Sequence, residues 1–193
     1  MLSSKLTNYH LILASGSPRR QQFFKELDID FEIRLKEVDE VYPKQLKASE
    51  ITDFLADLKS KPFNNELTDK DILITSDTIV WFENEALGKP KNYQEAFETL
   101  RRLSGKVHEV ITSVSIKSKS FQKIINDTTT VAFKELSDDE IKYYIEKYKP
   151  YDKAGAYGIQ EWIGRIGIKK IEGSYFNVMG LPVHKLYKEL MNL

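Results

Sequence analysis

A polar turn near the start of the chain, Ser15-Gly16-Ser17-Pro18-Arg19-Arg20, carries residue types that bind an anion. It follows a short apolar run and leads into a helix that we expect to begin at Pro18. A helix N-terminus offers unpaired backbone N–H groups, and this turn adds two hydroxyls and two guanidinium groups. The turn therefore predicts a phosphate-binding site in which Ser15, Ser17 and Arg20 contact the anion. The alternative is a surface turn in which Ser17 only caps the helix and both arginines are solvated.

An acidic residue, Asp77, stands in the middle of the apolar segment Asp71–Phe82, which predicts a central strand with a buried carboxylate. Burying a lone carboxylate is costly unless a metal ion or a basic group compensates its charge. The placement therefore indicates a functional acid. The alternative is a structural role, with the carboxylate hydrogen-bonded to Thr75, Thr78 or a backbone N–H.

Other polar residues are candidate partners for this acid and for the anion. Glu40 lies in an acidic turn after the second predicted strand and offers another carboxylate. Lys59 and Lys89 are candidate cations, and Lys89 is the better one because the flanking Gly and Pro hold its backbone in a defined turn. Gln160 can bring a planar amide to the edge of a base. In each case the alternative is an ordinary surface or loop residue.

These residue types together favour one kind of substrate. Serines and cations suit a polyphosphate, while carboxylates suit a hard divalent metal ion and the orientation of a water molecule. The three histidines, His10, His108 and His184, lack the spacing of metal ligands, and we interpret them as structural or surface residues. The sequence therefore predicts hydrolysis of a nucleotide anhydride with a divalent metal cofactor, Mg²⁺ or Mn²⁺.

The elements that must position these residues follow from hydrophobic spacing and from turn residues. In the first half the predicted elements are a strand over 11–14, a helix from Pro18 to the turn at 28–30 with Ser17 as its N-cap, a strand in which Phe31, Ile33 and Leu35 alternate, a helix over 48–61 ended by Pro62, and the central strand Asp71–Phe82. In the second half they are a helix containing Ala96, Phe97, Leu100 and Leu103, a strand hairpin over 107–133 interrupted near 117–120, a helix opened by a capping box at Ser137 and closed by Pro150, a loop-and-strand region from 155, and a last helix over 183–190.

Composition narrows the class of protein. The chain has 193 residues, 41% of them hydrophobic and 30% charged, which predicts one compact globular domain over residues 1–193. Its 29 Lys and Arg balance 29 Asp and Glu, so we expect neither nucleic acid nor a membrane as a partner. The absence of cysteine excludes disulfides and thiolate nucleophiles. The sequence shows neither a secretory signal nor an apolar run near the roughly 20 residues of a membrane span, so we expect a cytoplasmic protein.

Seven segments in chain order lie between residues 11 and 182: LASGSPRRQQFF, VDE, SDTIV, LGKP, RRLSGKVHEVITSVSI, DKAGAYGIQ and GSYFNVMGLP. In residues and in order they resemble the Maf-type nucleotide pyrophosphatases, also called septum-formation-inhibitor-like proteins. The resemblance implies that a nucleoside triphosphate is cut between its α and β phosphates, giving a nucleoside monophosphate and pyrophosphate, with a divalent cation. It also implies an α/β fold with an elongated mixed β-sheet, flanking helices and two lobes around a central cleft, as in inosine-triphosphatase-like proteins.

The resemblance further implies a role for each matching residue. Asp77 would be the catalytic acid/base that accepts the proton from the attacking water. The positions that handle phosphate or metal are Ser15, Arg20, Glu40, Lys59 and Lys89, with Glu40 and Asp77 as metal ligands. The positions that separate the subgroups are Arg19, Thr78 and Gln160, and their combination is similar to the dTTP/UTP-type enzymes. Relatives are often dimeric, so a homodimer is among the expected assemblies, beside the small-molecule nucleoside triphosphate.

Two departures from the family pattern concern the base pocket and the strand of the catalytic acid. Glu161-Trp162-Ile163-Gly164 follows Gln160, where the family continues with small residues, and this bulk is expected to change the pocket's shape. Ser76 stands where the family usually has Gly or Ala. Two alternatives stay open: a nucleotide-binding regulator of cell division without turnover, and a pyrophosphatase for modified purine nucleotides in which Trp162 shapes the pocket.

Overall fold

The computed structural model describes residues 1–193. The β-strands are β1 His10–Leu13, β2 Glu32–Ile33, β3 Asp71–Phe82, β4 Glu85–Leu87, β5 Val107–Lys117, β6 Gln122–Phe133 and β7 Ile168–Glu172. The α-helices are α1 Leu2–Lys5, α2 Pro18–Glu26, α3 Ser49–Ser60, α4 Tyr93–Leu103, α5 Asp138–Tyr148, α6 Trp162–Gly167, α7 Tyr175–Val178 and α8 Val183–Met191. Short 3₁₀ helices cover Lys61–Phe63 and Ala154–Ala156.

The strands form one mixed seven-stranded sheet in the order β2-β1-β3-β5-β6-β7, with β4 paired to β3. β1 lies parallel to both β2 and β3, and Leu13 is opposite Ile74 of β3. β4 and β7 run antiparallel to β3 and β6. The predicted α/β class and the mixed sheet are confirmed.

The chain divides into two compact units. The first contains Met1–Asp77, Thr112–Asp127 and Gly180–Leu193, and the second contains Thr78–Ile111 and Thr128–Met179. That residues 1–193 act as a single functional domain stays a prediction.

The core of the first unit is built on the parallel strands. Ile12 of β1 and Leu73 of β3 are fully buried, and they form a cluster with Phe63 and Leu67 of the segment between α3 and β3. Burial on both faces of β3 explains its apolar run Ile72–Ile74. The strand is therefore a fixed support for the side chains at its middle.

Several predicted elements are confirmed. β3 has the predicted bounds, and β5 and β6 are neighbouring strands with the break at 118–121. The capping box is formed, because the Ser137 hydroxyl accepts from the Glu140 N–H while the Glu140 carboxylate accepts from the Ser137 N–H. The last helix begins at Val183 as predicted.

Two predicted details are wrong. The second strand has only two residues, and Ile33 and Leu35 are exposed because β2 is an edge strand. The region expected to be loop and strand after 155 contains the helix α6, in which Gly164 is an interior residue.

None of the helices combines the length and the apolar character that a span of the lipid bilayer requires.

Candidate active site

The candidate site lies in the first unit, where β1 and β3 run side by side. Leu13, the last residue of β1, pairs with Ile74 of β3, so Ser15 in the turn after β1 and Asp77 within β3 both lie shortly beyond this pair. Both residues are buried, Ser15 at 7% exposure and Asp77 at 6%. The carboxyl ends of parallel strands are the usual place for ligands in α/β folds. The turn from Ser15 to Arg20 and the acid Asp77 therefore lie beyond the same end of the β1–β3 pairing.

Helix α3 is fixed against β3 by a buried hydrogen bond. The Thr75 hydroxyl donates to the Ala56 carbonyl at 2.6 Å. Asp77 lies two residues along the strand from Thr75, and Lys59 lies three residues along the helix from Ala56, so the strand and helix periods put this second pair on the same faces. The Lys59 Nζ accordingly contacts the Asp77 Oδ1 at 2.6 Å.

Lys59 joins two carboxylates. Its Nζ lies 3.0 Å from the Glu40 Oε1 in addition to its contact with Asp77. The Asp77 side chain is 9% exposed and that of Glu40 is 47% exposed, so the inner ion pair is the better shielded one. The expectation that Lys89 is the better cationic partner of Asp77 is wrong, because the helix–strand register places Lys59 there.

Arg20 is held by backbone carbonyls from distant parts of the chain. Its Nε donates to the Gly180 carbonyl at 2.8 Å, and its Nη1 donates to the Ser76 carbonyl at 2.8 Å and to the Ser15 hydroxyl at 3.4 Å. Burial lowers its pKa to about 10, while the charges of Asp77 and Glu40 oppose that shift. The guanidinium therefore stays protonated near neutral pH and is fixed beside both carboxylates.

The turn before α2 is ordered by the Ser15 side chain and backbone. The Ser17 N–H donates to the Ser15 hydroxyl at 3.3 Å, and the Gln21 amide donates to the Ser15 carbonyl at 3.1 Å. Ser17 is the N-cap residue and Pro18 begins the helix, as predicted, but the Ser17 hydroxyl makes no capping bond. Arg19 is half-buried, and its positive charge also acts on the pKa of Arg20.

The remaining candidates belong to the second unit. Thr78 follows Asp77 directly on β3 and is half-buried, whereas Lys89 and Gln160 are exposed. The loop of Lys89 is tied to the segment that leads to Gln160, because the Gly155 N–H donates to the Gly88 carbonyl at 3.1 Å. The part that these three residues play in the site stays a prediction.

Two positions that anchor Arg20 were not predicted as parts of the site. These are the carbonyl oxygens of Ser76 and Gly180. A backbone acceptor leaves no trace in residue type, and Gly180 lies 160 residues from Arg20 along the chain. The one sequence signal was the segment GSYFNVMGLP, which contains Gly180.

We call Arg20, Glu40, Lys59 and Asp77 the charged cluster, and its two carboxylates meet part of what a divalent metal requires. No group of three or more His, Asp or Glu side chains is arranged to hold an ion. Glu40 and Asp77 do converge on one cation, the Lys59 ammonium. Mg²⁺ is commonly bound by one or two carboxylates together with substrate phosphates, so this pair fits such an ion.

The histidines have structural or surface positions, as interpreted from the sequence. His108 is buried, its Nε2 is 2.8 Å from the Tyr157 hydroxyl oxygen, and burial lowers its pKa to about 4. His10 is half-exposed at its side chain and contacts Asp71 and Glu32. His184 is exposed on α8.

Sheet topology and side-chain geometry together define an α/β protein with a cluster of cations and carboxylates beside the ends of parallel strands. A solved structure described as the Staphylococcus aureus Ham1 protein has a similar fold, with a TM-score of 0.53, 15% identity, and coverage of 93% of this chain and 99% of that one. The family model described as Maf-like protein matches residues 10–193. The chain belongs to this Maf family, as the sequence segments indicated.

Curated relatives match over the whole chain. A protein of Flavobacterium johnsoniae named dTTP/UTP pyrophosphatase is 61% identical over 193 residues, covering 100% of both chains. Proteins with the same name from Flavobacterium psychrophilum and Bacteroides fragilis are 60% and 49% identical, and the matches cover 100% and 98% of this chain. The chain is therefore similar in full length to proteins of one named activity.

Proposed function

We propose that this protein is a nucleoside triphosphate pyrophosphatase that hydrolyses dTTP and UTP to the nucleoside monophosphate and pyrophosphate. The observation that carries the proposal is the cluster in which Lys59 joins Asp77 and Glu40 beside the anchored guanidinium of Arg20. The full-length similarity to proteins named dTTP/UTP pyrophosphatase supports the choice of substrate.

Cations in the cluster match the charge of the substrate and of the leaving group. A triphosphate is strongly anionic, and hydrolysis places further negative charge on the departing pyrophosphate. Arg20 and Lys59 would hold that charge, with Ser15 and Ser17 donating from the turn. Lys89 is a further phosphate-binding cation that the resemblance to the Maf family implies. Because Arg20 is already fixed by two carbonyls, little reorganisation is required when the charge develops.

Asp77 is the proposed general base. Its carboxylate is buried on a rigid strand and oriented by Lys59, so it can position a water molecule and accept its proton. When phosphates attract the Lys59 ammonium, the carboxylate gains freedom to act on water. Glu40 is more exposed and serves better as a ligand than as a base.

Glu40 and Asp77 are the residues that would hold a divalent metal ion, Mg²⁺ or Mn²⁺. Such an ion, when bound, supplies charge neutralisation at phosphate oxygens. The chain's own contribution is the pair of carboxylates that face one cation position. Arg19, Thr78 and Gln160 are the residues proposed to select a pyrimidine nucleobase. A free nucleotide as substrate is consistent with the predicted cytoplasmic location.

The products of UTP test this proposal. With MgCl₂, we expect the purified chain to convert UTP and dTTP into the nucleoside monophosphate and pyrophosphate, with the two products in equal amounts. ³¹P NMR measures both products. ATP, GTP and the modified purine triphosphate ITP should react more slowly. Release of orthophosphate with UDP would contradict the proposed bond cleavage. Tight binding of UTP without products would favour the nucleotide-binding regulator, and faster turnover of ITP would favour the purine alternative.

A further inference from the structure

The segment after Gln160 forms the beginning of helix α6. Glu161 is the N-cap residue of α6, and its carbonyl accepts from the Gly164 N–H at 3.1 Å. The Trp162 ring packs edge-on against Tyr143 of α5, with ring centroids 4.9 Å apart. Trp162 is thus engaged with a helix surface, and Glu161 is the residue that turns back toward the Gln160 segment.

Gln160 lies inside a turn that is closed twice. The Glu161 N–H donates to the Gly158 carbonyl at 3.0 Å, which closes the backbone over residues 158–161. The side chains repeat the closure, because the Gly158 N–H donates to the Tyr144 hydroxyl oxygen at 3.0 Å and the Tyr144 hydroxyl donates to the Glu161 carboxylate. Tyr144 is fully buried, so it anchors the turn to α5.

A buried lysine completes this arrangement. The Lys153 Nζ lies 3.1 Å from the Glu161 Oε1 and 2.7 Å from the Asp152 Oδ1, and its side chain is 10% exposed. A lysine this buried requires a carboxylate partner. We call Tyr144, Lys153 and Glu161 the clasp.

Two glycines show how closely the clasp packs. A Cβ on Gly158 would lie 2.9 Å from the Glu161 Cδ and 3.1 Å from the Lys153 Cε. A Cβ on Gly164 would lie 1.9 Å from the Ile159 carbonyl oxygen, so the first turn of α6 rests directly on the backbone that precedes Gln160. These contacts hold Gly158 and Ile159, the two residues that precede Gln160.

We propose that Glu161 is a positioning residue for substrate selection: through the clasp it fixes the turn that carries Gln160, and so sets the preference for the pyrimidine base. This inference rests on the proposed function, since it assigns a cause to the selectivity of that reaction. Glu161 has no role in bond cleavage in the proposed function. Its substitution should therefore change the discrimination between UTP and ATP more than it changes kcat.

The test compares Glu161→Ala, Glu161→Gln and Tyr144→Phe with the wild type, with Glu172→Gln as the matched control. Glu172 is an exposed glutamate of β7 that is paired only on the surface with Lys170. kcat and KM are measured for UTP and ATP, and thermal melting reports the folded state. Tyr144→Phe removes one hydroxyl and keeps the buried ring, so it remains informative if Glu161→Ala does not fold.

For Glu161→Ala we expect KM for UTP to rise about tenfold, equivalent to about 1.4 kcal/mol of binding, with kcat changed less than about threefold. The UTP-to-ATP ratio of kcat/KM should fall by a similar factor, Tyr144→Phe should shift it in the same direction, and Glu161→Gln should be intermediate because it still accepts from Tyr144. The control should match the wild type.

Failure of this inference is distinct from failure of the proposed function. If the wild type releases pyrophosphate from UTP but the clasp variants keep its UTP-to-ATP ratio, the positioning role is overturned and the activity stands. A lower melting temperature with an unchanged ratio overturns the positioning role in the same way. If the wild type releases no pyrophosphate from any nucleotide, both proposals fall.

Discussion

The Arg20 guanidinium is oriented by the backbone before it binds an anion. Two of its N–H groups are already bonded to the carbonyls of Ser76 and Gly180, each at 2.8 Å, so the guanidinium plane is fixed before a ligand arrives. A lysine has neither the fork geometry nor the two directed donors. The residue type that the turn pattern pointed to is therefore explained by its anchoring as well as by its charge.

Burial of His108 is expected to make the stability of the folded state depend on pH. Its buried ring contacts Tyr157 and Phe133, and burial lowers its pKa from 6.5 to about 4. The unfolded chain therefore binds the proton first as pH falls, and the folded state loses stability between about pH 6.5 and pH 4, by up to about 3 kcal/mol at the lower end.

Urea unfolding of the wild type and of His108→Gln across this pH range checks the assignment. The stability difference between the two proteins should shrink on acidification, because only the wild type carries the penalty of keeping His108 neutral. His184→Gln, at an exposed position, should follow the wild type at every pH. A difference that stays constant from pH 7 to pH 4 would refute the assignment.

Among the elements, α5 has the best-defined beginning. The Ser137 hydroxyl satisfies the Glu140 N–H and the Glu140 carboxylate satisfies the Ser137 N–H. Ser137→Ala removes the first of these bonds and is expected to cost about 1 kcal/mol of stability. Thermal melting of Ser137→Ala beside Ser137→Asp measures it, since aspartate can still accept from the helix N-terminus. Equal destabilisation by both substitutions would mean that the cap is not the cause.

Element prediction succeeded where the signal was local. The apolar run of β3, the capping box of α5 and the Gly-terminated α4 are written in neighbouring residues. The helix α6 was missed because the region from residue 155, which contains Gly164, was predicted as loop and strand. The structure shows that this glycine lets a helix turn rest on the Ile159 carbonyl, a reason that depends on a contact and not on helix propensity.

For the candidate site, too, local signals were found from the sequence and long-range contacts were not. The Ser15 to Arg20 turn and Asp77 were found from residue type and setting. Lys59 was ranked below Lys89 because the register of α3 on β3, fixed by the Thr75 bond to Ala56, cannot be derived from spacing. The role of Glu161 in holding a turn was likewise hidden, because its partner Tyr144 lies 17 residues away.

In the whole molecule, the residues proposed for phosphate chemistry and those proposed for base selection belong largely to different units. Ser15, Arg20, Glu40, Lys59 and Asp77 belong to the first unit, and Thr78, Lys89 and Gln160 belong to the second. Asp77 and Thr78 are consecutive residues of β3, so one strand carries both the proposed base and a proposed selector. The zero net charge means that attraction of the anionic substrate depends on the local cations Arg20 and Lys59 and not on an overall positive charge.

In the proposed reaction Asp77, held by Lys59, is the acid/base of pyrophosphate release. The most direct measurement is the rate of pyrophosphate release from UTP by Asp77→Asn, with Asp69→Asn as a control at an exposed aspartate. We expect kcat of Asp77→Asn to fall at least about 10²-fold, since the amide cannot accept the proton. Its circular dichroism should match that of the wild type, and the rate of the control should be unchanged. A folded Asp77→Asn protein that releases pyrophosphate at a rate near that of the wild type would contradict this role of Asp77.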